Sequence, residues 1–305
     1  MRNPSKDLNH LAPDSKIFPI CIPSYSRPDA AILYELKKDP KLPVILFIRT
    51  EQKKLYEKWR RYFKIVTLKN VTNIGETRAK IVDYAYHKGY ENIFMLDDDI
   101  SKFNYLVKGL TKKGEKKLML NPIPADECQI GRDAFRLWSY YISLCDNLAL
   151  SGIVFRPFSW MWGNTQQEWV YNKGVVAQMF SVNVRLLKEH GIQYRSNTEC
   201  FNEDTCIQFD CMNAGLNTIL FKEFTYSTPI CGTQTGGCAE MYGFDPNKTK
   251  EENFQACLSS YSNGAEKLLA LCKEHEGLKI KQESSGRKYV AFIWDHWKKP
   301  YTRKE

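Results

Sequence analysis

Four short apolar runs alternate with helix-like segments across the first hundred residues, and this alternation most limits how the chain can fold. Ile17 to Tyr25 predicts a buried strand ending in the turn Ser26-Arg27-Pro28-Asp29, with a helix from Ala30 to Lys38. Pro43 to Arg49 is continuously apolar and rich in β-branched residues, the pattern of an interior parallel strand. A helix from Glu51 to Phe63 would bury Leu55, Trp59 and Phe63 at i, i+4 and i+8. Lys64 to Lys69 predicts a third strand. A helix then opens at Asn73-Ile74-Gly75-Glu76-Thr77-Arg78 and runs to about Lys88, where Gly89 caps it. A fourth strand, Asn92 to Leu96, stops at Asp97-Asp98-Asp99. The spacing predicts βαβ units in an α/β fold with a mixed, mostly parallel sheet, whose ligands bind beyond the carboxyl ends of the strands. Neither a GxGxxG nor a GxxxxGK[ST] loop occurs, which excludes dinucleotide-binding and P-loop proteins.

The pattern then becomes mixed. A basic loop reaches Leu120, followed by a helix from Arg132 to Leu150, an aromatic stretch from Ile153 to Phe180, and a strand over Val175 to Phe180. Asn202 to Ala214 predicts a helix, Thr218 to Phe224 a strand, Pro229 to Tyr242 a glycine-rich loop, and Glu251 to His275 a last helix before a basic tail. With 43% hydrophobic and 13% aromatic residues, and only 17 Gly and 13 Pro in 305 residues, disordered and collagen-like classes are excluded. No apolar run is long enough to span a membrane, and residues 1–16 lack the apolar core of a secretory signal, so a cytoplasmic protein with no membrane association is expected. The ten cysteines are scattered and show no CxxC pair, which points to reduced thiols rather than disulfides or zinc.

The net charge of +9 favours an anionic partner. Lys102, Lys108, Lys112, Lys113, Lys116 and Lys117 face only Glu115, and Lys53, Lys54, Lys58, Arg60, Arg61 and Lys64 form a second cluster. Either run can also be an ordinary solvated surface.

The strongest chemical signal is Asp97-Asp98-Asp99. Three adjacent carboxylates repel one another, and a divalent cation offsets that charge. In an extended chain Asp97 and Asp99 lie on one side, where both can reach one hard ion that also takes diphosphate oxygens. A helix N-terminus with surplus acid is the structural alternative.

Ile22-Pro23-Ser24-Tyr25-Ser26-Arg27-Pro28, Ile74-Gly75-Glu76-Thr77-Arg78, the strand-terminal Asp97-Asp98-Asp99 and Asn202-Glu203-Asp204 together resemble a GT-A-fold glycosyltransferase. With Thr235-Gly236-Gly237-Cys238 in that order, the chain is similar to the TET-associated glycosyltransferases, phage-type enzymes that glycosylate hydroxymethylated DNA bases. The resemblance covers Ile17 to Tyr242. It implies a glycosyltransferase domain over 16–245, with a nucleotide-binding half over 16–100 and an acceptor half over 101–245. A flexible leader over 1–15 and a helical basic extension over 246–305 flank it.

Residue by residue, the resemblance implies Mn²⁺ or Mg²⁺ on Asp97 and Asp99, with His296 a candidate third ligand. Pro23, Tyr25, Arg27, Arg78, Asp97 and Asp98 would hold the nucleotide-sugar donor. Asp204, or Glu203 beside it, would be the general base, though the same residues can serve as a helix-capping cluster under Asn202. Trp160, Trp162, Gln234, Gly236 and Gly237 are candidate acceptor contacts, with core packing or a plain turn as the alternative. The expected acceptor is a 5-hydroxymethylpyrimidine in double-stranded DNA, the donor a UDP-sugar, and the location the host cytoplasm if the chain is phage-encoded. A protein, lipid or glycan acceptor, a nucleotidyltransferase, and a silent nucleic-acid-binding protein remain open at this point.

Overall fold

The computed structural model describes residues 15–110, 116–122, 128–155, 169–171, 174–196, 202–229, 236–271, 277–284 and 286–297. In chain order the elements are β1 (Ile20–Ser24), α1 (Ala31–Leu36), β2 (Val44–Arg49), β3 (Lys64–Leu68), α2 (Ile74–His87), β4 (Asn92–Leu96), β5 (Lys102–Leu110), β6 (Lys116–Pro122) and α3 (Cys128–Ser143). Then follow β7 (Leu148–Phe155), β8 (Trp169–Tyr171), β9 (Met179–Asn183), α4 (Val184–Glu189), α5 (Glu203–Asn213), β10 (Asn217–Ser227), α6 (Lys250–Leu271), β11 (Leu278–Gln282) and β12 (Lys288–Phe292). The mixed, helix-flanked sheet expected of a GT-A-like chain is present, in the order β3-β2-β1-β4-β9-β7-β10-β5-β6, with β8 paired to β10. The first four strands run parallel, and β9 lies antiparallel between β4 and β7.

Burial explains the unbroken apolar runs. Ile20, Ile22, Val44, Leu46 and Ile48 pack on one face against α1 and the α3 residues Phe135, Trp138 and Tyr141. Cys21, Ile45 and Phe47 point the other way, into a second core with α2, α4 and α5. Period-2 side chains therefore meet helices on both faces, so no polar alternation survives.

Several elements differ from expectation. Residues 50–63 form 3₁₀ turns at Thr50–Gln52 and Glu57–Trp59 instead of one α-helix. The tighter turn brings Tyr56 and Trp59 together at i, i+3, both buried, and leaves Leu55 53% exposed. The basic run after Ser101 is no loop: β5 and β6 form an antiparallel hairpin, and β5 continues the sheet beside β10. α3 ends at Ser143, and Asn147 in a left-handed conformation (φ 51°) turns the chain so that Leu148–Leu150 enter β7. The strand expected from Val175 starts only at Met179, after Gln178 at φ 59°.

The C-terminal extension is not wholly helical. α6 is followed by the β11–β12 hairpin, and the tail 298–305 lies outside the described residues. Cys206 is disulfide-bonded, against the expectation of reduced thiols throughout, whereas Cys21, Cys211 and Cys238 are thiols. Among the described residues no helix is long and apolar enough to cross a membrane.

Candidate active site

The chain leaves β1 for β2 and β3 on one side and returns to β4 on the other, so the carboxyl ends of β1 and β4 form a topological switch point, where open α/β sheets bind ligands. The β1–β4 ladder reaches only Cys21↔Met95. Pro19 accepts from Phe94 N–H and Ile20 donates to Pro43, so alternate residues from Pro19 through Cys21 to Pro23 face β4. Pro23 has no N–H to continue that ladder, and the strands part where Asp97 begins. Pro23 itself is buried within β1.

The three aspartates take different surroundings. Asp98 is 5% exposed, receiving Ser24 Oγ at 2.7 Å and Arg27 Nη1 at 2.8 Å. Tyr56 steadies this corner, its hydroxyl 2.7 Å from Ser24 Oγ while accepting Arg27 N–H at 2.9 Å. Burial pushes the Asp98 carboxyl up from its ordinary range despite Arg27. Asp97 and Asp99 are half-buried, their side chains 22% and 26% exposed. The Asp97 N–H donates to Gln178 at 2.8 Å, anchoring the acidic turn to the segment entering β9.

Arg78 unites the two acidic motifs. α2 is capped by Asn73, which accepts Glu76 N–H at 3.0 Å, while Glu76 accepts Thr72 N–H at 2.7 Å. From this fixed first turn Arg78, 1% exposed, donates from Nη2 to Asp97 at 2.7 Å and from Nη1 to Glu203 at 2.6 Å, with Asp204 at 3.5 Å. It is therefore not a helix-surface cation. Burial opposes its charge, but Asp97, Glu203 and Asp204 together hold the guanidinium well above its usual range. Burial likewise raises Asp97, with Asp204 and Asp98 adding to it against Arg78. Asn202 makes no side-chain cap bond to α5, so the alternative of a capping cluster under Asn202 is not formed by its side chain.

Gly236 and Gly237 close the site from a third direction. Gly237 N–H donates to Tyr25 at 2.9 Å and Arg27 Nη2 donates to Gly236 O at 3.1 Å. Both glycines have positive φ (76° and 59°), and a Cβ on Gly237 would stand 2.8 Å from the Arg27 guanidinium. They touch Tyr25 and Arg27, residues expected from sequence on the donor side, a placement the acceptor expectation did not include. Beside them the Arg49 guanidinium lies 3.9 Å above the Tyr25 ring.

A family model described as TET-associated glycosyltransferase matches residues 18–237, close to three quarters of the chain. The chain belongs to the TET-associated glycosyltransferase family. No curated protein matches it. Among solved structures, residues 1–349 of TarS from S. aureus are similar at 13% identity and a TM-score of 0.43, covering 88% of this chain and 77% of that one. GalNAc-T7 with UDP, GalNAc and Mn²⁺ is similar at 9% identity and a TM-score of 0.38, covering 70% of this chain and 43% of the other. A mannose-1-phosphate geranyltransferase from Thermus thermophilus gives 11%, 0.37, 69% and 73% respectively.

In this TET-associated glycosyltransferase the acidic centre carries more carboxylates than cations. Five carboxylates (Asp97, Asp98, Asp99, Glu203 and Asp204) meet two guanidiniums, those of Arg27 and Arg78. The donors of Asp97 and Asp99 are hard oxygens and retain exposure, so this donor set fits Mn²⁺ or Mg²⁺. Among the described residues no group of three or more His, Cys, Asp or Glu side chains is arranged to hold a metal unaided. His296 packs edge-on to Trp297, which contacts Phe209 and donates to Gly277 O, so it does not complete such a group with Asp97 and Asp99.

Trp160, Trp162 and Gln234 lie outside the described residues. Sequence reasoning missed the Ser24–Tyr56 corner, Arg49, and the Tyr194 hydroxyl, which is buried with no hydrogen-bond partner among the described residues and whose titration burial pushes up, with Arg78 opposing and Asp204 adding to it. Ser24 stood inside a quoted motif, but nothing local marked Tyr56. Its role exists only because the 3₁₀ turns carry it back to β1.

Proposed function

We propose that this TET-associated glycosyltransferase moves a sugar from a UDP-sugar to the hydroxyl of a 5-hydroxymethylpyrimidine in DNA, using Mn²⁺ or Mg²⁺. The observation that carries the reading is the span of Arg78, whose one guanidinium contacts Asp97 on the donor side and Glu203 and Asp204 on the other. A candidate metal-binding carboxylate and a candidate base thus meet on one guanidinium, a grouping that suits the positioning of two reactants at one centre.

Asp97 and Asp99 would hold the metal, which when bound supplies positive charge to the diphosphate leaving group. Arg27 keeps Asp98 out of that task and holds the loop of Gly236 against Tyr25. Tyr25 and Arg49 offer planar groups to the nucleobase. Asp204 takes the proton of the acceptor hydroxyl as its oxygen bonds to the anomeric carbon and the bond to the diphosphate breaks. Glu203 is less suited to that role. Its side chain is 7% exposed and gripped at 2.6 Å, whereas that of Asp204 is 22% exposed with Arg78 no nearer than 3.5 Å.

The DNA acceptor rests on the family description and on the basic balance of the chain. Such an acceptor places the enzyme in the cytoplasm, the host's if it is phage-encoded. The test is mass spectrometry of nucleosides from DNA containing 5-hydroxymethylcytosine, after incubation with the protein, Mn²⁺ or Mg²⁺ and a panel of UDP-sugars. A pentose or hexose mass that disappears with Asp97→Ala and Asp99→Ala supports the reading. UDP release without a DNA adduct overturns the DNA acceptor alone, and no UDP release with any donor overturns the whole reading.

A further inference from the structure

A second charged centre lies at the opposite end of the sheet. Ile17, just before β1, and Pro43, just before β2, line a cavity of about 430 Å³ together with Ser15, Lys16, Lys41, Arg132 and Arg136. The candidate active site is at the carboxyl ends of these strands. The stretch from Ile17 to Tyr25, at ~3.3 Å per residue, therefore separates the two places by something on the order of 20 Å.

Four cationic side chains converge on this cavity, and two of them are held in place by carboxylates. Asp39, 4% exposed, binds Arg132 at both oxygens, Oδ2 accepting Nε at 2.8 Å, and also accepts Lys41 N–H at 3.0 Å. Asp133, 5% exposed, faces Arg136 at 3.3 Å. Among the described residues no carboxylate pairs with the ammonium of Lys16 or Lys41, and both lysines are exposed. Two buried acids thus orient two guanidiniums, and the lysines leave a surplus of positive charge at the cavity mouth. With Arg132 and Arg136 each compensated by a carboxylate, the ammoniums of Lys16 and Lys41 supply the positive surplus that favours an anion, and arginine with lysine suits the oxygens of a phosphate. The volume lies within the range of small-ligand pockets.

We propose that this cavity at the amino ends of β1 and β2 is a phosphate-binding site separate from the catalytic centre. The phosphate comes either from a free diphosphate-bearing molecule or from the backbone of the bound nucleic acid.

The test uses the full chain and Lys16→Gln/Lys41→Gln, two exposed substitutions outside the catalytic machinery, with Arg136→Gln as a second variant and circular dichroism as the folding check. Calorimetric titration with inorganic pyrophosphate is run in EDTA, so that no metal at Asp97 and Asp99 contributes, and duplex affinity is measured against salt concentration. A loss of at least tenfold in pyrophosphate affinity in both variants, with duplex binding unchanged, supports the site with a free diphosphate as occupant. A weaker duplex complex whose log–log salt slope is shallower by about 1 to 2 supports it with a backbone phosphate as occupant. If both variants bind pyrophosphate and duplex as the wild type does, with the same salt slope, the proposal is overturned. It is also overturned if Asp99→Asn changes metal-free pyrophosphate binding while the cavity variants do not.

Discussion

Arg78 and Glu203 are joined at 2.6 Å although 125 residues separate them, and both side chains are almost wholly buried. Removing the cation leaves Glu203 and Asp97 facing each other without compensation. Arg78→Ala should therefore lower stability by about 3–5 kcal/mol, the cost of breaking a buried pair. Urea denaturation followed by tryptophan fluorescence measures this. Arg78→Lys should recover part of the stability but little activity, because one ammonium lacks the forked geometry that reaches both acids.

Asp98 and Asp99 should fail in different ways. Asp98→Ala removes the carboxylate that accepts from both Ser24 and Arg27 and should destabilise by about 1–3 kcal/mol, with weakened donor binding as a secondary effect. Asp99→Asn should leave the melting temperature nearly unchanged yet depress metal-dependent UDP release by more than about tenfold, since even groups behind a ligand matter by that much. Thermal melts run beside UDP-release assays across a Mn²⁺ titration separate the two, and equal behaviour of the variants would contradict the division of roles.

Gly237→Ala places a methyl group against the Arg27 guanidinium at a residue with φ of 59°. A left-handed alanine costs about 1–2 kcal/mol before any clash. The expected outcome is a raised KM for the nucleotide sugar with a smaller change in kcat, read from initial rates over a range of donor concentrations. Ala at Gly131, where no atom lies within 4 Å of the added methyl, is the matched control.

Burial raises the Asp98 carboxyl above its ordinary value. The folded chain thus binds this proton more tightly than the unfolded one, so the stability linked to Asp98 is present below the unfolded pKa of about 4 and is lost as pH rises through the higher folded value. Asp98→Asn does not titrate. Its stability relative to wild type should therefore improve as pH rises above about 4, as measured by denaturation at fixed ionic strength, and a gap independent of pH would refute the assignment.

The strands and the acidic turn were legible because their signals are local. An apolar run buried on both faces and three consecutive aspartates need no knowledge of distant residues. What could not be read was pairing over distance. The i, i+4 spacing of Leu55, Trp59 and Phe63 favoured an α-helix, whereas the tighter turns are tied back to the β1 turn by Tyr56 to Ser24 and Arg27, Gln52 to Ser26, and Trp59 to Pro28. The lysine-rich stretch after Ser101 looked like solvent-exposed loop, yet strand formation there is decided by β10, more than a hundred residues later. Arg78 was singled out by its motif as a donor contact, but the partners it meets in the structure lie on separate elements, and sequence offered no way to choose between donor phosphate and a neighbouring carboxylate.

The residues beyond the family match touch the helix that begins with Glu203 and Asp204. Phe209 meets Trp297 at 5.8 Å, and Cys206, Phe209 and Met212 share one apolar cluster with Ala265, Leu268, Leu278, Val290 and Phe292. A chain cut after Asp245 would strip that helix of its outer wall and slacken the proposed base along with it. Any other tail grafted in its place would have to rebuild the same greasy seat, so change at the C-terminus is constrained from within by a helix it does not itself contain.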